Sequence, residues 1–438
     1  MKKYKEAVAY LDTFLNYEKK GFKGGEKFSL VRVRAALKKL GHPDHAYVSA
    51  HIAGTKGKGS VATFASSTMC AAGMRTGLYT SPHLSSPRER IKFNGKMISK
   101  KEFSDGVFYL KKTLGSEISA KLTYFEIFTL LAMWHFKKRK VDVAVFETGM
   151  GGRFDATNVV VPAVSCITPI SYDHTAILGT SLKKIAGEKS AIIKKGSVCV
   201  SACQKRSALN VIKKRCDDVG AKLILAGREI KTRITGLGPK GTVFDIETPL
   251  RRYKGCRTAM IGEFQPENAA LSVAICEEMW RSLRPGEISG EAVKRGIKKA
   301  FIEGRMEVLS ERPLVVIDGA QNASSCEKLV RSVGKIFDYE KLTVIVAFCA
   351  DKDIKGACAE LSGIADTVIV TCARTGRAAE NEKIARYFLD KKVIMTSSAK
   401  EAITSALVIS GERDLVLAAG SFYLVGEIRE IVKGKASK

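Results

Sequence analysis

A glycine-rich segment near residue 55 has the residue types and spacing that bind nucleotide phosphates. It reads His51-Ile-Ala-Gly-Thr-Lys-Gly-Lys-Gly-Ser60 and follows an apolar run. Its glycines can adopt positive φ at little cost, so successive backbone N–H groups can converge on an anion, and a helix expected to start near Ser60 adds the positive end of its dipole. Lys58 would reach the terminal phosphates. The alternative is a turn that only joins a strand to a helix, but the strand–loop–helix context favours phosphate binding.

The spacing of this segment differs from the common G-x-x-x-x-G-K-[ST] loop. Only two residues separate Gly54 from Gly57, and a glycine, Gly59, follows the lysine. In the common loop the residue after the lysine is a Ser or Thr that ligates Mg²⁺. We therefore expect Ser60, or a hydroxyl from elsewhere in the chain, to supply that oxygen.

An acidic residue ends another apolar run, Val141-Asp-Val-Ala-Val-Phe-Glu147, and the glycine-rich Thr148-Gly-Met-Gly-Gly-Arg153 follows it. In a parallel sheet the carboxyl ends of the strands line the ligand crevice, so Glu147 is predicted to project beside the phosphate loop. A carboxylate there can hold Mg²⁺ directly or through water. Helix capping or a salt bridge is the alternative role for this acid.

Two further segments follow predicted strands at the same edge of the sheet. Ser81, in Tyr79-Thr-Ser-Pro-His83, is the candidate for the missing hydroxyl, although Ser before Pro is also a common turn signal. His174, in Ile170-Ser-Tyr-Asp-His-Thr175, offers an imidazole. A lone His is more often structural, and Mg²⁺ prefers oxygen ligands, so the residue type alone leaves the role of His174 open.

Two more candidates are weaker on sequence alone. Lys189 lies on a predicted helix among other lysines, where an exposed surface position is the simpler interpretation. Asp318 ends a predicted strand in the later part of the chain, a position where acids commonly bind a ribose or a metal. All six histidines lie at or before His174, so the later part of the chain supplies no imidazole to any reaction.

The elements that would position these residues alternate between apolar runs and amphipathic stretches, which predicts an α/β chain with a mainly parallel sheet. Residues 230–258 instead form short alternating pieces with several glycines, which predicts a small antiparallel excursion. We place a domain boundary near residue 300, giving domains 1–300 and 301–438. The predicted strands are 47–52, 76–80, 141–147, 163–167, 197–201, 314–318, 342–347, 367–371, 393–395 and 414–418, and the predicted helices include 58–72, 123–137, 182–194, 264–281 and 291–300.

Length and composition agree with a globular protein of two domains. The chain has 438 residues, of which 45% are hydrophobic, and its formal net charge is +28. The charge suggests anionic partners, although the basic residues are scattered in short clusters typical of solvated helix ends. We find no apolar run long enough for a membrane span and no signal peptide, and the 11 cysteines lack a C-x-x-C pair. A cytoplasmic protein with reduced thiols is expected.

The ordered set of motifs resembles the folylpolyglutamate synthase and dihydrofolate synthase family of the Mur-ligase superfamily. The similarity covers nearly the whole chain. It includes Leu40-Gly-His-Pro43, Ala53–Ser60, Thr80-Ser-Pro-His-Leu84, Arg88-Glu-Arg90, Thr123-Tyr-Phe-Glu126, Glu147–Asn158, Asp173-His174, Glu188-Lys189, Gln265-Pro-Glu-Asn-Ala269, Glu303-Gly-Arg305, Asp318-Gly-Ala320, Asp351-Lys-Asp353 and Gly420–Gly426.

This resemblance implies a P-loop ATPase domain of the Mur-ligase type, followed by a smaller Rossmann-like α/β domain. It also implies an ATP- and Mg²⁺-dependent amide ligase. ATP would phosphorylate the carboxyl of dihydropteroate or of a folate's terminal glutamate, and the amine of L-glutamate would displace the phosphate. Such chemistry gathers negative charge, so it needs cations and loop amides rather than a covalent nucleophile. A monomer that binds neither nucleic acid nor membranes is expected.

The resemblance also implies roles for individual residues. Lys58, Lys189, Glu147 and His174 would be catalytic, with Lys189 modified to a carbamate, and Ser81, Glu147 and His174 would hold Mg²⁺. The nucleotide would contact Gly54, Thr55, Gly57, Lys58, Gly59, Ser60, Asn268, Arg305 and Asp318. The pterin substrate would lie near Thr123, Tyr124, Phe125, Glu126 and Arg153.

Two positions depart from the family pattern. Members usually have His where this chain has Gln321, and commonly have Asn where Lys56 stands in the phosphate loop. Gln321 can donate a hydrogen bond but cannot act as a cation or proton shuttle. Lys56 adds positive charge near the phosphates.

Two other functions remain as alternatives. A Mur-type ligase for a UDP-linked peptidoglycan precursor usually carries a uridine-binding domain before the phosphate loop, and about 50 residues leave little room for one. A basic P-loop ATPase that binds nucleic acid would show steeply salt-dependent binding. The sequence does not decide whether glutamate is added to dihydropteroate, to folates or to both, although family habit favours both.

Overall fold

A computed structural model describes residues 2–20 and 28–436, apart from the side chains of residues 19, 20, 435 and 436. The helices are α1 (Lys2–Asp12), α2 (Tyr17–Lys20), α3 (Val31–Lys39), α4 (Lys58–Ala71), α5 (Lys100–Ser119), α6 (Tyr124–Lys138), α7 (Thr175–Leu178), α8 (Leu182–Ser190), α9 (Arg206–Val219), α10 (Gln265–Leu283), α11 (Gly290–Lys299), α12 (Ala323–Ile336), α13 (Ile354–Ser362), α14 (Asn381–Ala385), α15 (Ala399–Ile409) and α16 (Phe422–Ala436). Short 3-10 helices cover Pro43–His45, Pro87–Arg90 and Ala156–Val159.

The strands form three sheets. They are β1 (Val48–Ala53), β2 (Thr76–Tyr79), β3 (Ile91–Phe93), β4 (Lys96–Met97), β5 (Val143–Glu147), β6 (Val164–Ile167), β7 (Val198–Ser201), β8 (Lys222–Leu225), β9 (Lys231–Gly238), β10 (Gly241–Glu247), β11 (Arg252–Thr258), β12 (Glu307–Glu311), β13 (Leu314–Ile317), β14 (Leu342–Val346), β15 (Thr367–Val370), β16 (Lys392–Met395) and β17 (Leu415–Ala419).

The first sheet has the order β4-β3-β2-β5-β1-β6-β7-β8, and it is parallel from β2 to β8. The prediction of a mainly parallel sheet is confirmed. Strand β1 lies at its centre, where the register pairs Ile52 with Glu147 of β5 and with Cys166 of β6. Because parallel strands end at the same edge, the segments that follow β1, β2, β5 and β6 meet there.

The helix that follows the phosphate loop is held firmly in the core. α4 has low amphipathic character and is buried along most of its length, because α10 and α11 cover the side that faces away from the sheet. At Gly296 of α11 a Cβ would come within 2.3 Å of the Thr68 Cα, so only glycine permits this approach. Ser67 Oγ also donates to the Gly296 carbonyl at 2.7 Å. The C-terminal half of α4 is therefore held tightly against α11.

The segment predicted to leave the βα pattern forms the antiparallel sheet β9-β10-β11, which confirms that prediction. Its inward residues Phe244, Ile246 and Tyr253 join the core beneath α10. This sheet therefore packs on the same helix that carries Asn268.

The third sheet has the order β12-β13-β17-β14-β15-β16 and is parallel except for β12. One apolar cluster on its first face includes Leu329 of α12 and Leu361 of α13, and another on its second face includes Ile403 of α15 and Ile428 of α16. Strands β3, β4, β8 and β12 are absent from the sequence prediction: β3 and β4 have only two or three residues, and β4, β8 and β12 lie at sheet edges where their residues are less buried.

No helix in the described part of the chain combines the length and apolar character needed to cross a bilayer.

Candidate active site

The phosphate loop connects β1 to α4 with backbone conformations that require glycine. Gly54 has φ of 154°, and a Cβ there would lie 1.8 Å from the Thr168 Oγ1. Gly57 has φ of 83°, and its Cβ would lie 2.6 Å from the Asn268 Oδ1. The loop is therefore folded tightly against the chain after β6 and against α10, as close backbone approach to a ligand requires.

Helix α4 begins at Lys58, the start of the predicted helix 58–72 and two residues before Ser60. Lys58, Gly59 and Ser60 thus form its first turn, where backbone N–H groups have no carbonyl partner within the helix. All three residues line a cleft. These donors and the dipole of α4 favour an anion at this point.

The first residues of the phosphate loop are hydrogen-bonded to the chain that follows β6. The N–H groups of Thr55 and Lys56 both donate to the Pro169 carbonyl, at 3.0 and 3.3 Å. The Thr55 hydroxyl donates to the Ser171 carbonyl and accepts from the Ser171 N–H, both at 3.1 Å. Thr55, predicted as a nucleotide contact, therefore has its hydroxyl and N–H engaged with the loop after β6. The predicted contact Gly54 does not line the cleft.

Glu147 lies directly behind Gly59. A Cβ on Gly59 would be 3.4 Å from the Glu147 Oε2, so the missing side chain leaves space between the helix start and the carboxylate. Oε2 accepts a hydrogen bond from the Ser81 N–H at 3.1 Å. Burial raises the pKa of Glu147, and the charge on Lys58 opposes this shift. The structure thus brings Ser81, Glu147 and the phosphate loop together.

His174 follows β6 and lines the same cleft. It has a left-handed backbone, with φ of 49°, at the N-terminal end of α7. Its Nε2 lies 3.9 Å from the Asp173 Oδ1. Burial lowers the pKa of His174 although Asp173 opposes the shift, so the neutral imidazole that can ligate a metal is favoured.

Lys189 is buried beneath the loop instead of lying on an exposed helix face. Its Nζ donates to the Gly54 carbonyl at 2.7 Å. Burial, with the nearby charge of Lys58, lowers the pKa of Lys189 to about 7. A Cβ on Gly152 would come within 2.6 Å of the Glu188 carbonyl, so the chain after β5 runs directly against the helix of Lys189. The amine therefore loses its proton far more readily than a surface lysine.

The other wall of the cleft comes from the loops around the third sheet. Arg305 lines the cleft, and its guanidinium lies 4.6 Å from the Phe422 ring centroid. Asp318 accepts from the Met306 N–H at 2.9 Å and from the Ala320 N–H at 2.8 Å, so its carboxylate organises the chain next to Arg305. Burial raises the pKa of Asp318, against the charge of Arg305.

The two departures from the family pattern, Lys56 and Gln321, both line the cleft. Lys56 Nζ donates to the Asn322 Oδ1 at 3.3 Å, which links the phosphate loop to the start of α12. Burial lowers the pKa of Lys56, and Asp173 opposes the shift. Asn268, on α10, also lines the cleft, and its Nδ2 donates to the Gln265 Oε1 at 3.1 Å.

Only some of the residues predicted to lie near the pterin line the cleft. Thr123, Phe125 and Glu126 line the cleft, but Tyr124 does not: its ring packs in the core, 4.7 Å from Phe128. Thr123 and Glu126 form a reciprocal capping box, because the Thr123 hydroxyl accepts from the Glu126 N–H and the Glu126 carboxylate accepts from the Thr123 N–H. Arg153 is absent from the lining, and its guanidinium pairs with the Glu188 carboxylate at 2.9 Å.

One functional residue that sequence reasoning missed is Asp155. Its carboxylate accepts from the Met150 N–H at 2.9 Å and from the Thr157 N–H at 3.0 Å. Thr157 Oγ1 in turn lies 2.7 Å from the His51 Nε2. Asp155 thus ties the glycine-rich chain after Glu147 to β1. The available signal was an acid eight residues after the end of β5, within the Glu147–Asn158 motif.

The lining groups open into one cleft of about 1780 Å³ between the first and third sheets, and Gly54, Tyr124, Arg153 and Lys189 are not among them. Pockets for a single small ligand are typically about 300–1,000 Å³. The cleft therefore has room for a nucleotide and a second substrate. Its charged lining includes Lys56, Lys58, Arg305, Lys328, Lys352, Glu147 and Asp173.

Comparisons with known proteins agree with this architecture. Residues 52–276 match the Mur ligase middle domain, and residues 304–422 match the glutamate ligase domain of Mur ligases. The dihydrofolate synthase/folylpolyglutamate synthase of Bacillus subtilis is 34% identical over 419 residues, which cover 94% of this chain and 96% of that protein. The chain belongs to the folylpolyglutamate synthase/dihydrofolate synthase family of Mur ligases.

Solved structures of this family are similar over nearly their full length. A Mycobacterium tuberculosis folylpolyglutamate synthase complexed with ADP has a TM-score of 0.90 at 30% identity, with 98% of both chains covered. Escherichia coli FolC in complex with DHPP and ADP has a TM-score of 0.86 at 26% identity, again with 98% of both chains covered. The two-sheet α/β architecture is therefore that of the family.

Proposed function

We propose that this chain is an ATP-dependent ligase that adds L-glutamate to a folate, and also to dihydropteroate, through an acyl phosphate. The observation that carries the proposal is the convergence on one cleft of the α4 N-terminus, Lys58 and Glu147 from one side and Arg305 from the other. The names of the relatives support the same activity, and the ADP complexes of two of them support the nucleotide.

The phosphate loop and Lys58 bind the nucleotide phosphates in this proposal. The N–H groups of the first turn of α4 and the Lys58 ammonium stabilise the negative charge that spreads over the transferred phosphoryl group. Arg305 adds a cation from the opposite wall. Transfer breaks the bond between the β-phosphate bridging oxygen and the γ-phosphorus, and it forms a bond from a substrate carboxylate oxygen to that phosphorus.

The second step forms the amide. The glutamate amine attacks the acyl carbon, phosphate leaves, and the amine nitrogen loses its protons. Because both cleft walls contribute charged groups, closure over the substrates would exclude the water that otherwise hydrolyses an acyl phosphate.

Mg²⁺ fits the donor set around Glu147. A buried carboxylate with a raised pKa, faced by the empty space at Gly59, is suited to a cation. Glu147, the Ser81 hydroxyl and neutral His174 would hold the ion, which when bound neutralises phosphate charge. The chain's own contribution is to orient Glu147 through the Ser81 N–H.

Lys189 is suited to carbamylation, which requires the unprotonated amine. With a pKa of about 7, a large fraction of Lys189 is neutral at physiological pH. Attack of Nζ on CO₂, with loss of one proton, forms the carbamate and converts a buried cation to an anion beneath the phosphate loop. This anion could help bind a second metal.

The organic acid would lie against the wall formed by Thr123, Phe125 and Glu126. The Phe125 ring packs over Gly149, where a Cβ would come within 2.7 Å of the ring, and the same ring lines the cleft, where it would contact a pterin. We further propose a cytoplasmic monomer that binds neither nucleic acid nor membranes, consistent with the small-molecule substrates of the relatives.

Product analysis tests this function. Purified protein is incubated with ATP, Mg²⁺ and L-glutamate, and dihydropteroate and a reduced folate are offered in separate reactions. The products are weighed by mass spectrometry, and each addition should increase the mass by one glutamyl residue. A parallel reaction supplies a UDP-linked peptidoglycan precursor and its amino acid. Product only in that reaction would reverse the assignment.

A further inference from the structure

A second group of metal-ligating side chains lies outside the cleft, in the 3-10 turn between α3 and β1. His42, Asp44 and His45 each offer one ligand atom, and these atoms lie within 4.8 Å of one another. Within residues 2–20 and 28–436, this is the one group of three His, Cys, Asp or Glu side chains with that property. We call it the His42–His45 turn.

The backbone of this turn brings the two imidazoles to the same side. His42 has a left-handed conformation, with φ of 47°, directly after Gly41 at φ of 67°. Non-glycine residues rarely adopt this conformation, so surrounding contacts must hold it. The turn is fixed by the His42 N–H, which donates to the Leu37 carbonyl at 3.0 Å. As a result the two rings stack, with centroids 4.9 Å apart and an angle of 12° between planes.

Among the described residues, no lysine or arginine forms an ion pair with the Asp44 carboxylate. Asp44 is buried, with 7% exposure, and its Oδ1 has no hydrogen-bond partner. Its described ion-pair contacts are His42 Nδ1, 3.6 Å from Oδ1, and His45 Nε2, 3.2 Å from Oδ2. A buried, unpartnered carboxylate oxygen is unfavourable unless a cation compensates it.

We propose that His42 Nδ1, a carboxylate oxygen of Asp44 and His45 Nε2 bind one divalent transition-metal ion, with Zn²⁺ the best match and water completing the coordination. Tetrahedral ligands about 2.1 Å from zinc lie about 3.4 Å apart. His42 Nδ1 lies 3.6 Å from the Asp44 Oδ1 and His45 Nε2 lies 3.2 Å from the Asp44 Oδ2, so each nitrogen is near that separation from one of the two carboxylate oxygens. Two imidazoles and one carboxylate favour zinc, cobalt, nickel or copper over Mg²⁺, which prefers oxygen ligands.

The position of the turn makes this ion structural instead of catalytic. The turn precedes β1, whereas the phosphate loop follows it, and six strand residues span about 20 Å. The ion would tie the end of α3 to the start of β1. Helix α3 carries Arg32, whose guanidinium donates to Glu126 on the cleft wall at 3.1 Å. The site is independent of the proposed ligase activity.

Metal binding to tag-free, metal-stripped protein tests the proposal. Zn²⁺ stoichiometry is measured by equilibrium dialysis, and the visible absorption of Co²⁺ reports the ligand field. Millimolar Mg²⁺ and ADP are present to occupy the cleft. We expect His42→Ala/His45→Ala to bind one equivalent fewer than the wild type. Asp105→Asn, which removes a surface carboxylate paired with Lys3 and Lys101, should bind as the wild type does.

A single variant and a measurement of thermal stability provide two further tests of zinc binding. His45 has an exposed side chain, so His45→Ala should fold normally and weaken Zn²⁺ binding about tenfold or more. Zn²⁺ should raise the Tm of the wild type but not that of the double variant. Equal Zn²⁺ stoichiometry in the wild type and the double variant, or no zinc bound by either, would overturn the proposal and leave an imidazole–carboxylate ion pair only.

Discussion

Gly59→Ala separates the role of the phosphate loop in folding from its role in catalysis. Gly59 is in the first turn of α4, and the added Cβ would lie 3.4 Å from the Glu147 Oε2 and 3.7 Å from Oε1. Both are ordinary van der Waals distances. The methyl group therefore fits, but it fills the space between the helix start and the carboxylate that we assign to Mg²⁺.

The substitution should leave stability unchanged or raise it slightly, but it should lower activity. Alanine favours a helix over glycine by up to about 1 kcal/mol, so the free energy of unfolding should stay constant or rise slightly. An Mg²⁺ ion about 2.1 Å from Oε2 needs ligand oxygens on its far side, where the methyl group now intrudes. Loss of this electrostatic stabilisation should lower kcat/KM about 100-fold, which corresponds to about 2.7 kcal/mol.

The assay compares ligation kinetics over a range of Mg²⁺ concentrations with urea unfolding of the same protein. Gly334→Ala is the matched control, because Gly334 lies in α12 and nothing is within 4 Å of its added Cβ. That variant should gain the same helix stabilisation and keep wild-type kinetics. Wild-type kcat/KM and Mg²⁺ dependence in Gly59→Ala would refute the placement of the ion beside Glu147.

Three further perturbations address other parts of the site. Lys58→Ala and Glu147→Ala should each abolish detectable ligation in steady-state assays while circular dichroism stays unchanged, and near-normal turnover in either would remove its assigned role. Native Lys189, with a pKa of about 7, binds fewer protons above that pH than the unfolded chain, whose lysines titrate near about 10.4. Between these two pKa values the free energy of unfolding should therefore rise by up to about 1.4 kcal/mol per pH unit. Urea denaturation should show no such rise for Lys189→Met. An equal dependence on pH in the two proteins would contradict the lowered pKa of Lys189. Lys56→Gln and Asn322→Ala should each raise the KM for ATP a few-fold by breaking the hydrogen bond across the cleft, and fully additive effects in the double variant would show that the two residues act separately.

Much of the fold could be predicted because its signals are local. Buried parallel strands read as continuous apolar runs, so β1, β5, β6 and β7 were predicted to within two residues. The antiparallel sheet after residue 230 was signalled by alternation and glycine turns. The edge strands β4 and β12 lack that signal, because the two residues of β4 are exposed and most residues of β12 are only partly buried.

The site was predicted well where its residues follow strand ends and less well elsewhere, because only the former are positioned by local sequence. The positions after strand ends are fixed by chain order, so the sequence brought Ser81, Glu147 and the phosphate loop to one edge. Tyr124 lies in the core and does not line the cleft with its neighbours, because a helix turns each successive side chain by about 100°.

The amino-acid sequence by itself determined the α/β class, the glycine-rich turn and the acids at the strand ends, because these depend on local spacing and on parallel strands sharing an edge. Only the tertiary structure decided that Lys189 lies buried beneath Gly54, that Asp155 supports the chain after Glu147 and that Lys56 reaches Asn322. The burial of a side chain and the charges near it depend on segments that are distant in sequence. The spacing of residues within one segment therefore does not predict them.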